Sequence, residues 1–230
     1  MTLLLGELMR FMVAFCVVAL TACSPAIVES RPVAAPTTAS TQDRMRAMDA
    51  KVKLALMYAD AFADYNSRLV EEDPAATAEV GGTKGRVSEV CLGARVDQGV
   101  SDSRSRTWSE GELYVKQTVY GMVDVTSAFV LETVRTKARS CKTYVGTTNK
   151  PSREVTADIP LPELAGVDDS YGFCESVPDL PDGVWDCEVF ITHGDLLVAV
   201  EVDAAVSGDE TRAKLPKILP RVVEALLRAG

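Results

Sequence analysis

The chain has 230 residues, with 24 Lys and Arg against 33 Asp and Glu, a net charge of −9. That balance disfavours nucleic acid as a partner, because phosphate recognition needs a basic surface. The single histidine rules out H-E-x-x-H zinc peptidases, and no G-x-S-x-G marks a serine hydrolase.

The first feature in chain order is an uncharged apolar run from Phe11 to Ala19, followed by Leu20-Thr21-Ala22-Cys23. From Phe11 to Ala22 there are 12 residues, against the roughly 20 that a helix needs to cross a bilayer. A short apolar stretch ending in small residues is what signal peptidases read, and a cysteine at the cut has the form of a bacterial lipobox. Residues 1–22 are therefore expected to be a signal peptide, with cleavage before Cys23 and lipid on its sulfur. Each buried methylene of such an anchor contributes about 0.8 kcal/mol, and two chains suffice for stable attachment. The expected address is the outer face of the cell membrane. Ser24 to Gln42 is rich in Pro, Ala, Ser and Thr with no periodic apolar face, so residues 23–42 read as lipidated cysteine plus linker. Residues 43–230 are enough for one domain with its own core.

Met45, Met48, Val52, Ala55, Ala59 and Phe62 recur at helical spacing and predict a first helix from about 43 to 70. Glu71 to Lys84 reads as a loop, Arg86 to Val96 as a strand, Ser101 to Arg106 as a polar loop and Leu113 to Tyr120 as an alternating strand. Asp124 stands as the N-cap of a second helix ending near Ser140, with Leu131, Val134, Ala138 and Cys141 on its inner face. Trp185 to Ile191 and Leu196 to Val202 alternate as two half-buried strands, turned by His193-Gly194. A last helix carries Leu219, Val222, Val223 and Leu226, with Pro216 in its first turn and a bend or late start at Pro220. Sequential hairpins with helices between them predict an α+β fold, a twisted antiparallel sheet with helices packed on one face.

With Cys16 in the signal and Cys23 lipidated, Cys91, Cys141, Cys174 and Cys187 remain. Outside the cytoplasm this even number favours two disulfides over a metal site. If Pro178 to Gly183 closes a hairpin, Val177 faces Val184 and Cys174 faces Cys187, within bridging reach; Cys91 with Cys141 follows by elimination. Neither a metal nor a cofactor is expected: no C-x-x-C occurs, and the carboxylates around Asp168-Asp169-Ser170 and Asp179 to Gly183 do not follow EF-hand spacing. Between Glu154 and Thr211 there is no Lys or Arg but 15 acidic residues. The molecule has an acidic half, read as a solvated face or as a surface for cations or a basic partner.

The strand LYVKQTVYGM, the helix TSAFVLETVRTKARSC, the hairpin GVWDCEVFITHGDLLVAVEVDA and the closing helix LPRVVEALLRAG follow one another in an order that resembles the PknH-like extracellular sensor domain family of actinobacterial kinases and lipoproteins. Trp185 two residues before Cys187 is part of the likeness, which spans about half the chain. The resemblance implies a twisted antiparallel sheet with packed helices, disulfides joined first to second and third to fourth, and a cleft for a ligand.

Three function classes stay in view. A non-catalytic ligand-binding or sensor-like module fits the address, the size and the disulfides, with Trp108, Tyr114, Tyr120 and Trp185 as candidate linings of an apolar pocket. Its partners would be the membrane, through the anchor, and a small or lipophilic ligand or an envelope protein. An envelope structural or protein-interaction module is the alternative, and a carboxylate-based hydrolase is a third, because two carboxyls at suitable separation suffice for it. The anchor reading is checked by Cys23→Ala and membrane fractionation: the variant should be released from the membrane fraction or left uncleaved. Normal processing and membrane retention would contradict it.

Overall fold

Period-two alternation organises the domain, since successive side chains of a strand point to opposite faces. The computed structural model describes residues 40–66, 68–71, 87–92, 100–145, 152–178, 184–204 and 207–230. The signal peptide, Cys23, most of the linker, the loop from 72 to 84 and the tip from 179 to 183 lie outside the described residues. The chain divides into two units, Met1–Thr38 and Ala39–Gly230, and every described residue belongs to the second. Among the described residues, no helix is long and apolar enough to cross a membrane.

Among the described residues eight strands form one sheet: β1 (Val70–Glu71), β2 (Val100–Glu110), β3 (Leu113–Met122), β4 (Thr143–Val145), β5 (Ser152–Thr156), β6 (Asp169–Val177), β7 (Val184–His193) and β8 (Leu196–Ala204). Their order is β1-β2-β3-β8-β7-β6-β5-β4, and every pairing is antiparallel. With the helices α1 (Thr41–Leu54), α2 (Ser127–Ser140) and α3 (Gly208–Leu227), the fold is α+β. The helices are not confined to one face as expected. Val115, Val119, Val189, Val198, Val200 and Val202 pack with α1 and α3 on one side. Tyr171, Phe173, Phe190 and Leu197 pack with Val130, Leu131, Val134 and Ala138 of α2 on the other.

Cys174 faces Cys187 in the β6–β7 register, as the hairpin argument requires, and the two are bonded with Cα atoms 4.0 Å apart. Cys91 is bonded to Cys141 at a Cα separation of 6.1 Å, which ties residues 87–92 to the end of α2.

Several elements differ from the expectation, each for a local reason. α1 ends at Leu54 instead of near residue 70. The fully buried amide of Gln117 accepts from the Met57 N–H and donates to the Ala55 carbonyl, capturing polar backbone that a helix would have bonded internally. Arg106, Trp108, Arg221 and Arg228 then donate to the carbonyls of Met57, Ala59, Ala61 and Leu56. The strand expected over 86–96 is absent from its described part, where Val90–Leu92 form a short 3-10 turn begun by the Ser88 hydroxyl accepting from the Val90 N–H. The polar loop expected at 101–106 is strand, part of β2; Arg104 is held by Asp49 at 2.6 Å and Arg106 by Glu71 at 2.8 Å, so its polar side chains have partners.

At the second helix, Thr126 rather than Asp124 is the N-cap, accepting from the Phe129 N–H. The β7–β8 turn is Gly194-Asp195 rather than His193-Gly194, because His193 is still paired with Leu196 and Gly194 takes the positive φ of 57°. α3 starts at Gly208, capped by the Ser207 hydroxyl, well before Pro216. Both prolines lie inside it on its exposed side, where the carbonyls they leave without a donor, four residues earlier on that same side, face water.

Candidate functional site

α2 covers only part of its face of the sheet, and the reason is legible strand by strand. Outward positions of β6 run Tyr171, Phe173, Glu175; those of β7 run Phe190, Glu188, Asp186; those of β8 run Leu197, Ala199, Glu201, Asp203. The apolar ends meet α2, and the acidic ends are left beyond it. Register brings the acids side by side: Glu175 faces Asp186, Asp186 faces Asp203, and Glu188 faces Glu201. Directly opposed side chains in an antiparallel pair have Cβ atoms about 4.5 to 5.5 Å apart.

The result is a cleft of about 280 Å³ whose walls include Glu175, Asp186, Glu188 and Glu201, with Thr118 and Tyr120 of β3 among its other linings. Two cations are built into its flanks. Arg153 lies 2.7 Å from Glu175 and 3.3 Å from Asp186, and Lys116 lies 3.5 Å from Glu201. Tyr144 donates its hydroxyl to Glu175 at 2.7 Å, and Ser88, on the segment that the Cys91–Cys141 bridge anchors, donates to Glu188 at 2.9 Å. Glu175 is therefore well satisfied. Asp186 is only 5% exposed, and its Oδ1 has no hydrogen-bond partner among the described residues; the same holds for Asp203 Oδ1.

Desolvation disfavours the charged form of a carboxyl, and neighbouring carboxylates disfavour it further. Burial, then the charges of Glu201, Glu188, Asp203 and Glu175, push Asp186 well above the usual carboxylate range. Burial, then Glu175 and Glu201, raise Glu188 to about 8. Burial, then Glu201, raise Asp203 to about 6. On the cationic side, burial alone would lower Arg153 and Lys116, but the bond to Glu175 and the charge of Glu201 respectively bring both out above their ordinary values. Burial and then Glu188 hold the Tyr120 phenol protonated. Chemically, this is a crowded row of carboxyls, two of which, Asp186 and Glu188, are driven toward their protonated forms.

The four aromatics singled out in the sequence do not meet. Trp108 is fully buried, donating to the Ala59 carbonyl and packed edge-on against Phe62, so it belongs to the core on the α1 and α3 side. Trp185 lies on that side too, against the start of α3, where a Cβ on Gly208 would come within 2.6 Å of the indole. Tyr114 lies on the opposite face, next to Asp203 in register. Tyr120 alone of the four lines the cleft, which is polar and not the apolar pocket anticipated. His193 sits at the far end of β7 from Asp186. Asp168 accepts from the Gly194 N–H and Asp169 is paired with Arg135, so these two loop carboxylates have structural partners. Sequence reading noticed the acidic half but not its organising feature, which is acids at alternate positions within otherwise apolar strands.

No family model matches the sequence, and no curated protein matches it. Solved structures similar to this chain include two mycobacterial proteins. The extracellular domain of PknH from Mycobacterium tuberculosis is 14% identical with a TM-score of 0.41, over 56% of this chain and 66% of that one. An uncharacterized protein from Mycobacterium smegmatis, the Rv0999 ortholog, is 10% identical with a TM-score of 0.33, over 54% and 64%. This chain thus spans just under two thirds of the length of either neighbour. The first is the domain that the sequence pattern resembles; the chemistry of the cleft rests on the residues named above.

Raised carboxyl pKa values have a thermodynamic sign. Between its ordinary value of 4.5 and about 8, Glu188 is more protonated in the folded chain than in the unfolded one, so its contribution to stability is complete below that window and is lost as pH rises through it. Asp203 acts the same way between 3.8 and about 6. Glu188→Gln should leave thermal stability near pH 5 almost unchanged. At pH 9 it should exceed the parent by about 1 to 3 kcal/mol, the order of cost of a half-buried carboxylate held among like charges. Parallel pH profiles for the two proteins would contradict the assignment.

Proposed function

We propose that this chain is a lipid-tethered, extracytoplasmic binding domain without a catalytic role, and that the acidic cleft on the α2 side is its ligand site. The observation that carries the reading is Asp186, whose buried Oδ1 lies in the cleft wall with no partner among the described residues. A carboxylate oxygen left bare in a low-dielectric site costs about 1 to 3 kcal/mol, and a ligand that donates a hydrogen bond there offsets that cost. The address is supported by the lipobox ending at Cys23, by the linker composition after it, and by two cysteine pairs bonded as disulfides, the state that persists outside reducing compartments. The cleft's polar walls favour a small polar ligand over the lipophilic one that an aromatic pocket would take.

A hydrolytic role would need one carboxyl to donate a proton while a second attacks or activates water. Two of the carboxyls here are instead engaged along the strands, Glu175 by Tyr144 and Arg153 and Glu201 by Lys116. Binding is the chemistry that this arrangement favours.

The test is co-purification. Full-length parent and Thr118→Trp, which fills the cleft from its floor, are isolated from native envelopes and their bound small molecules identified by mass spectrometry. A polar compound released stoichiometrically by the parent and missing from the variant is expected. An identical set of compounds from both, or a stoichiometric protein retained by both, would contradict the cleft as the site.

A further inference from the structure

Resting on that reading of the cleft, we infer that its ligand is a small organic cation, with an ammonium or guanidinium group seated between Asp186 and Asp203. Three observations converge on the class. The first is the pair of bare oxygens. Asp186 and Asp203 are opposed in the β7–β8 register, and Oδ1 of each is buried without a hydrogen-bond partner among the described residues. An ammonium has three donors and no acceptor, and a guanidinium five, so one such group can satisfy both carboxyls across the short opposed-pair distance.

The second is that the resident cations are committed elsewhere. Arg153 reaches Oδ2 of Asp186 at 3.3 Å while holding Glu175 at 2.7 Å, and Lys116 is drawn to Glu201. Among the described residues, Glu175, Asp186, Glu188 and Glu201 from three adjacent strands thus line the cleft beside these two cations, with Asp203 next to Asp186 in register. Among the described residues this leaves the opposed pair Asp186 and Asp203 without a cation of its own, so an anionic ligand would add to the crowding and a neutral one would bring no charge to relieve it.

The third concerns inorganic ions. Among the described residues no group of three potential ligands is placed to hold a metal ion, since the acids are spread along the strands instead of converging on a point. An extended cation with discrete donors matches a row of acceptors; a compact divalent ion requires six or more oxygens around one centre.

Occupancy is coupled to protons. Asp186 is faced by Glu175 and Arg153 from β6 and β5, by Glu188 on its own strand and by Glu201 and Asp203 from β8. Without a ligand this crowding keeps protons on the cleft, and an arriving cation displaces protons to solvent. Binding should therefore strengthen as pH rises.

The experiment is isothermal titration of the detergent-solubilised full chain with spermidine, beside calcium chloride and sorbitol, at pH 6 and pH 8.5 in two buffers of different ionisation enthalpy. The expected result is one spermidine per chain, tighter at pH 8.5, with proton release at pH 6. Asp186→Asn and Asp203→Asn should each weaken binding at least tenfold while melting no lower than the parent, because each replaces a carboxyl crowded by its neighbours with an uncharged group of the same shape. No heat from spermidine, equal affinity for calcium or sorbitol, or unchanged affinity in both Asn variants would overturn the inference. The two readings fail differently. Silence toward spermidine, alongside a neutral or anionic compound that Thr118→Trp loses, removes the cation and keeps the cleft. Spermidine bound equally by the parent, both Asn variants and Thr118→Trp removes the cleft as well.

Discussion

The register of the β6-β7-β8-β3 ladder is the constraint on which the other features depend. One alternation places Cys187, Val189, Ile191, Val198, Val200 and Val202 in the core under α1 and α3, and the same alternation sends Asp186, Glu188, Glu201 and Asp203 to the opposite face. A slip of one residue in any pairing would exchange the sets, burying acids in the apolar core and exposing valines. The Cys174–Cys187 bridge joins residues that are directly opposed, so it locks the register at the strand pair that bears Glu175 and Asp186. The core and the cleft are two consequences of one pattern.

The cleft is costly to maintain. Carboxyls taken out of water must be paired, hydrogen-bonded or protonated, and all three solutions occur within a few residues of each other: Glu175 is paired with Arg153 and bonded by Tyr144, Glu188 receives Ser88, and Asp186 is shifted toward its neutral form. The apolar core on the far side and the two disulfides supply the stability that tolerates this. The Cys91–Cys141 bridge has a second effect, since it fixes the segment that brings Ser88 to the cleft. Local rules are relaxed where a site is built and satisfied elsewhere.

What was legible in the sequence was whatever rests on uninterrupted period-two alternation. β3, β7 and β8 show it, and extrapolating the β6–β7 hairpin from its turn placed Cys174 opposite Cys187. β2 was not legible, because its alternate positions Arg104 and Arg106 are charged and find partners from α1, β1 and the segment after α1. The end of α1 depended on Gln117, more than 50 residues away, a contact with no local signature. The first turns of α3 are not legible because Pro216 and Pro220 resemble a boundary, and only their shared exposed side makes them compatible with a helix. The site suffered most. Aromatics attracted attention as pocket linings, yet two of the four are packed on the core side, while the acids that form the cleft read individually as solvated strand positions.

The central claim is that the sheet crowds its carboxyls so that Asp186 and Glu188 are shifted toward their neutral forms near neutral pH. Carbon-13 NMR of the side-chain carboxyls, followed across pH with Asp186 and Glu188 assigned by substitution, measures this without reference to any ligand. The account predicts a midpoint near 8 for Glu188 and a midpoint for Asp186 well above the ordinary range. Titration of both groups near about 4, as in an unstructured peptide, would contradict it.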